Sequence, residues 1–110
     1  MSRHSIILPS TTSQGRALVV VGYSCGVRGP HYFCSISDAT GHIDSHLWNS
    51  EFSLEHMRAQ NVDEFDAILA QWRVTLPAFI KRALVEDWAK NLKTPVEYCW
   101  QEDGSFDQVA

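Results

Sequence analysis

Residues 16–25, RALVVVGYSC, constrain the fold more than any other stretch of the chain. Three consecutive valines between Leu18 and Tyr23 are stiff at χ1 and favour a pleated backbone over a helix. Both alternating phases of this strand are apolar, so it has no obvious wet side. GVRGP, residues 26–30, carries two glycines and a proline and must be a loop. HYFCSIS, residues 31–37, then reads as a second strand. The loop closes a hairpin with Cys25 opposite His31. That register sets Gly22 against Cys34, Val20 against Ile36 and Tyr23 against Phe33. Leu18, Val20, Cys34 and Ile36 then face one side and Val19, Val21, Tyr23 and Phe33 the other. Small antiparallel sheets keep one side polar. A second apolar side implies cover by this chain or by another.

The rest of the first half fits a meander. Ser5–Leu8 is a short strand stopped by Pro9, and Ser10–Gly15 is a polar turn region. Asp38–Gly41, DATG, is a hairpin turn, and His42–Trp48 is a further strand. From Asn61 the period changes. Asn61 and Glu64 make an N-cap pair, and Phe65, Ile68, Leu69 and Trp72 fall on one helical face. A second helix follows, with Thr75 as N-cap and Pro77 in its first turn. Leu76, Phe79, Ile80, Ala83, Leu84 and Trp88 form its apolar stripe, while Glu86-Asp87 lies on a wet face. Val96–Trp100 alternates as a last strand, and residues 101–110 read as a frayed tail. Residues 53–60 fit either a short helix or a loop. The expected fold is α+β: one domain over residues 1–110, an antiparallel sheet of three to five strands in meander order, and two consecutive helices packed on one face.

With 110 residues, 45% of them hydrophobic and 20% charged, the chain has the composition of a folded domain. A chain of this size buries roughly 65% of its unfolded surface. Nine Lys and Arg against thirteen Asp and Glu give a net charge of −4. The basic residues are scattered, so no phosphate-tracking surface is expected and nucleic acid is not a predicted partner. No apolar run reaches the ~18 residues of a membrane span, and the N-terminal apolar segment is too short for a signal peptide. Three cysteines without a C-x-x-C pattern read as cytosolic thiols rather than a disulfide framework. The expected location is therefore cytoplasmic.

Gly22-Tyr23-Ser24-Cys25-Gly26 matches G-x-S-x-G, the nucleophile elbow of α/β-hydrolases. An elbow needs a helix directly after the serine to supply oxyanion N–H groups. Here a loop and another strand follow, so the structural reading prevails: Gly22 relieves crowding and Gly26 opens the loop. Cys25 opposite His31, with Arg28 in the loop to stabilise a thiolate, defines a second candidate, a thiol-dependent enzyme or small-ligand site. The competing reading is a half-buried cysteine beside a turn histidine. His42, Asp44 and His46 in HIDSHLW suggest a metal site. On a strand, however, the two histidines stand ~13 Å apart, too far for one zinc with ~2.1 Å bonds. No metal and no cofactor is expected. His4 and His56 fall into no usable pattern.

The order RHSIIL, then ALVVVGYSCGVRGPHYFCSISDATG, then LPAFIKRALVEDW resembles a group of small bacterial proteins found on mobile elements, including integron gene cassettes. The resemblance spans residues 3–88. Members commonly carry Asp-Arg-Pro where this chain has SCGVRGP. The resemblance implies no activity. The leading expectation is a non-enzymatic interaction module that forms a homodimer through Val19, Val21, Tyr23 and Phe33. The alternative is the small-ligand or thiol site at Cys25, Arg28 and His31. A third is an inhibitor that binds a larger protein partner.

Overall fold

The computed structural model describes residues 1–11, 15–26, 29–39, 46–91 and 93–109. The fold is α+β. Strands β1 (Ser2–Pro9), β2 (Arg16–Ser24), β3 (His31–Asp38) and β4 (His46–Asn49) form an antiparallel meander. Two short helices follow, α1 (Asp66–Ala70) and α2 (Ala78–Ala89). Strands β5 (Val96–Trp100) and β6 (Phe106–Gln108) complete the sheet. The order across the sheet is β4-β3-β2-β1-β5-β6. β5 lies beside β1 and runs parallel to it, so the sheet is mixed and has six strands rather than three to five in a simple meander.

β1 starts at Ser2, three residues before the expected strand, because Ser2, His4, Ile6 and Leu8 all point into the core. The β2–β3 register differs from the expected one by a single residue. Ser24, not Cys25, stands opposite His31, and Tyr23 pairs Tyr32, Val21 pairs Cys34 and Val19 pairs Ile36. A one-residue slip turns every side chain to the other face. Val19, Val21 and Tyr23 therefore lie under the helices at no more than 1% exposure. The proposed surface at those three residues is overturned; Phe33 alone of the four keeps the far side.

The core is Ile6, Val19, Val21, Tyr23, Cys34 and Ile36 from the sheet against Phe65, Leu69, Ile80 and Leu84 from the helical layer. The Asn61–Glu64 capping box forms as expected, with Asp63 N donating to Asn61 Oδ1 at 2.9 Å and Asn61 N to Glu64 Oε2 at 3.3 Å. It opens a 3₁₀ turn, Val62–Phe65, rather than a long helix. α1 stops early in a Schellman closure. Arg73 takes φ +55° while Arg73 N donates to Ala70 O and Val74 N to Leu69 O. α2 begins after Pro77, not at Thr75, since a residue preceding proline is driven to extended backbone. The tail is not frayed. Asp103 Oδ1 accepts from Ser105 N at 2.8 Å and Gly104 takes φ +92°, which turns β6 back onto β5. No helix among the described residues is long and apolar enough to cross a membrane.

Candidate functional site

Ser24 ends β2, and Cys25 and Gly26 lead into the loop before β3 rather than into a helix. His31 faces Ser24 across the ladder, but its ring is engaged elsewhere. Nδ1 lies 3.0 Å from Gly29 O and Nε2 lies 3.3 Å from Glu51 Oε1. Both ring nitrogens therefore lie within hydrogen-bond reach of oxygen acceptors away from Ser24. This ties His31 to Gly29 and to Glu51 after β4, so its ring is not turned to Ser24 as a base. Gly22 has a packing role. A Cβ there would stand 2.1 Å from Ser2 O and 2.3 Å from Phe33 Cζ. Cys25 is half-buried against the core, displaced from the position opposite His31. Burial holds the neighbouring Tyr23 phenol above its ordinary pKa, and Cys25 adds to the shift. Arg28 lies outside the described residues. The structure therefore does not pair Cys25 with His31.

A buried polar chain escaped the sequence reading. His4 Nε2 is 2.8 Å from Asp87 Oδ2, and Trp100 Nε1–H donates to His4 Nδ1 at 2.9 Å. The indole donor marks Nδ1 as the acceptor, so Nε2–H points to the carboxylate. Tyr98 stacks on the imidazole at 5.1 Å. A His–Asp pair suggests acid–base chemistry, but both ring nitrogens are committed, so the chain serves to tie β1, α2 and β5 together. Asp87 is buried, not on a wet face. Its signal was its place in the Ile80, Leu84, Asp87 stripe; that of His4 was its phase with Ile6 and Leu8.

The sheet face opposite the helices is less apolar than expected. Ser5, Ser35 and Ser37 share it with Ile7, Leu18, Val20 and Phe33, and the ion pairs Arg3–Glu97 and Arg16–Glu102 cross it. It holds two shallow clefts. One, of about 430 Å³, is lined by Ser5, Ile7, Arg16, Leu18, Cys99 and Glu102 among others. The other, of about 310 Å³, includes Arg3, Val20, Phe33, Ser35 and Glu51.

Among the described residues, the most exposed large apolar side chains lie after β4. Phe52 is 88% and Leu54 93% exposed, and Leu47 on β4 is 38% exposed. The segment that carries them is braced. Glu51 N donates to Asn49 Oδ1 at 2.9 Å, Ser53 N to Ser50 O at 3.0 Å and Met57 N to Ser53 O at 2.9 Å. Cys34 N donates to Ser50 Oγ at 2.9 Å, which fastens the segment to β3. A groove of about 330 Å³ runs beside it, lined by His46, Leu47, Trp48, Asn49 and Phe52. His46 is exposed there; His42 and Asp44 lie outside the described residues. Among the described residues no three His, Cys, Asp or Glu side chains gather as a metal site.

The site thus defined is a surface of an α+β domain with a mixed six-stranded sheet. No family model, no curated protein and no solved structure matches this chain.

Proposed function

We propose that this chain is a non-enzymatic interaction module that works as a homodimer, of the kind carried by mobile elements. Its contact surface is the end of the sheet at β4, with Leu47, Phe52 and Leu54 as the apolar anchors. The observation that carries the reading is the near-complete exposure of Phe52 and Leu54 on a segment fixed by backbone hydrogen bonds. Large apolar side chains held out rigidly are the material of interface hot spots. Sedimentation velocity across a concentration series tests it. A dimer is expected, with the Phe52→Ser/Leu54→Ser double variant folded but shifted to monomer. A wild-type monomer at every concentration refutes the reading. The alternative, small-ligand binding, finds support in the Ser5–Cys99 cleft, where Arg16 and Glu102 supply both charges. It no longer rests on the pairing of Cys25 with His31.

A further inference from the structure

We infer that the groove between α2 and residues 59–60 binds a small, neutral, planar heterocycle through Tyr32. This site shares no residue with the surfaces named above and does not depend on self-association. Tyr32, at the start of β3, is 4% exposed. Its backbone N donates to Ala59 O at 2.8 Å, which lays residues 59–60 alongside it. Its ring packs on Trp88 at 4.9 Å and meets Tyr23 edge-on at 6.4 Å. The two phenols fare differently. Tyr23 Oη bonds to Asn91 Oδ1 at 2.8 Å, whereas Tyr32 Oη has no hydrogen-bond partner among the described residues. An unanswered hydroxyl on a buried side chain calls for an explanation. Oη is not one of the sealed polar atoms of the core. The residue lines a groove of about 330 Å³ with Gln60, Val85, Trp88 and Ala89, and the hydroxyl opens on it.

The lining sets the chemistry of the ligand. None of these five side chains is charged, so a charged ligand would lose hydration without gaining a counter-ion. Val85, Trp88 and Ala89 share one face of α2 at i, i+3 and i+4, with Val85 exposed and Trp88 half-buried. An indole beside a phenol suits a flat ring. Two polar groups complete the site. Burial, with Asp87 and Tyr23 adding to it, holds the Tyr32 phenol above its ordinary pKa, so Oη keeps its proton and can donate. Gln60 Nε2 donates to Pro30 O and to Arg58 O, both at 3.0 Å, which fixes the amide and leaves Oε1 to accept. A ring with a carbonyl beside an N–H, a lactam edge, offers a partner to each. A pure hydrocarbon would leave both unpaired and bind less well. The volume lies at the low end of the roughly 300–1,000 Å³ of small-ligand sites, which suits one or two fused rings.

The test is an NMR titration of the intact chain with quinolin-2-one, read at the methyl groups of Val85 and Ala89, with Ile7 on the opposite sheet face as reference. Shifts that saturate at Val85 and Ala89 are expected, with Ile7 unmoved. N-methylquinolin-2-one, which lacks the donor, should bind roughly tenfold more weakly, the loss of one hydrogen bond. Tyr32→Phe should weaken quinolin-2-one by a similar factor while melting no lower than wild type, because the hydroxyl it removes has no partner to lose. A lower melting midpoint, or failure to fold, means that the protein itself holds the hydroxyl and overturns the proposal. Equal affinity in wild type and Tyr32→Phe overturns it too. So does the absence of shifts at Val85 and Ala89 up to the solubility of quinolin-2-one. Shifts at Ile7 and Leu18 instead put the ligand in the Ser5–Cys99 cleft and overturn this site.

Discussion

Replacing Gly22 by alanine tests the packing role of the glycine in the hydrolase-like motif. Within an ordinary strand, Gly→Ala should help, by about 0.5–1 kcal/mol. Here the sign should reverse. The new methyl would lie 2.1 Å from Ser2 O on the neighbouring strand and 2.3 Å from Phe33 Cζ. The Phe33 ring can swing aside, but the Ser2 carbonyl moves only with β1. Inserting a methyl into a packed site costs about 1–3 kcal/mol. With a backbone obstruction, the upper end applies: about 3 kcal/mol, or ~2 M in urea midpoint for a slope near 1.5 kcal/mol/M. Phe33→Ala removes one of the two obstructions. In that background Gly22→Ala should cost less, with a coupling of about 1 kcal/mol in a double-mutant cycle. Urea unfolding followed by tryptophan fluorescence gives all four corners. A Gly22→Ala protein as stable as wild type refutes the packing account. Equal cost in both backgrounds refutes the part assigned to Phe33.

The remaining predictions concern buried groups. Asp87→Ala leaves His4 Nε2–H buried without an acceptor and should lower stability by about 2–4 kcal/mol. Trp100→Phe, which strips only the donor to Nδ1, should cost about 1 kcal/mol; urea midpoints check the order of the two. In thiol labelling of the native protein, Cys25 and Cys99 should react directly, whereas Cys34, fully buried and with its pKa pushed far up by burial, should react only as fast as the protein opens. A fast third thiol would contradict the core. Stability should fall as pH rises above about 10. Burial raises the phenol pKa of Tyr23 and Tyr32, with smaller contributions from Cys25 and Asp87 respectively. At Lys81, desolvation lowers the ammonium pKa but is outweighed by hydrogen bonds to Asp63 and Asp66, so the net shift is upward. In each case the unfolded chain loses its proton first, so above the unfolded pKa it binds fewer protons and ΔG of unfolding declines with pH. This stabilisation is intact below pH about 10, the unfolded tyrosine value. A pH series of thermal melts showing a flat Tm from pH 9 to 11 would contradict it.

Much of the architecture was legible because local signals and global packing agree. The valine run, the Asn61–Glu64 cap and the alternation of Val96–Trp100 each specify their element without help from afar. β6 was legible in principle too. Asp103-Gly104 between Trp100 and Phe106 is a hairpin dipeptide, a local turn signal that outweighs the tendency of chain ends to fray. The phase of β2 is different in kind. Leu18 and Val20 are as apolar as Val19 and Val21, so a period of two carries no information about which pair faces the helices. β3 does carry its phase, since Ser35 and Ser37 mark the wetter side and Tyr32, Cys34 and Ile36 the core. Only the register transfers that phase to β2, and a loop longer by one residue inverts it.

One residue could have resolved the register. Phe33 shares the wetter side of β3 with two serines, and an aromatic ring there needs a bed. Gly22 is the sole residue of β2 without a side chain, and an aromatic laid across a strand glycine covers its bare backbone. Pairing Gly22 with Phe33 sets Ser24 opposite His31 and sends Val19, Val21 and Tyr23 under the helices, as found. The same choice clears Val19, Val21 and Tyr23 from the far face and leaves Phe52 and Leu54, at the end of the sheet, as the most exposed apolar side chains described. There, Phe52 and Leu54 stand in water with a braced backbone behind them. The glycine of a hydrolase-like motif thus acts through packing: by setting a register, it decides which apolar side chains of β2 the helices cover.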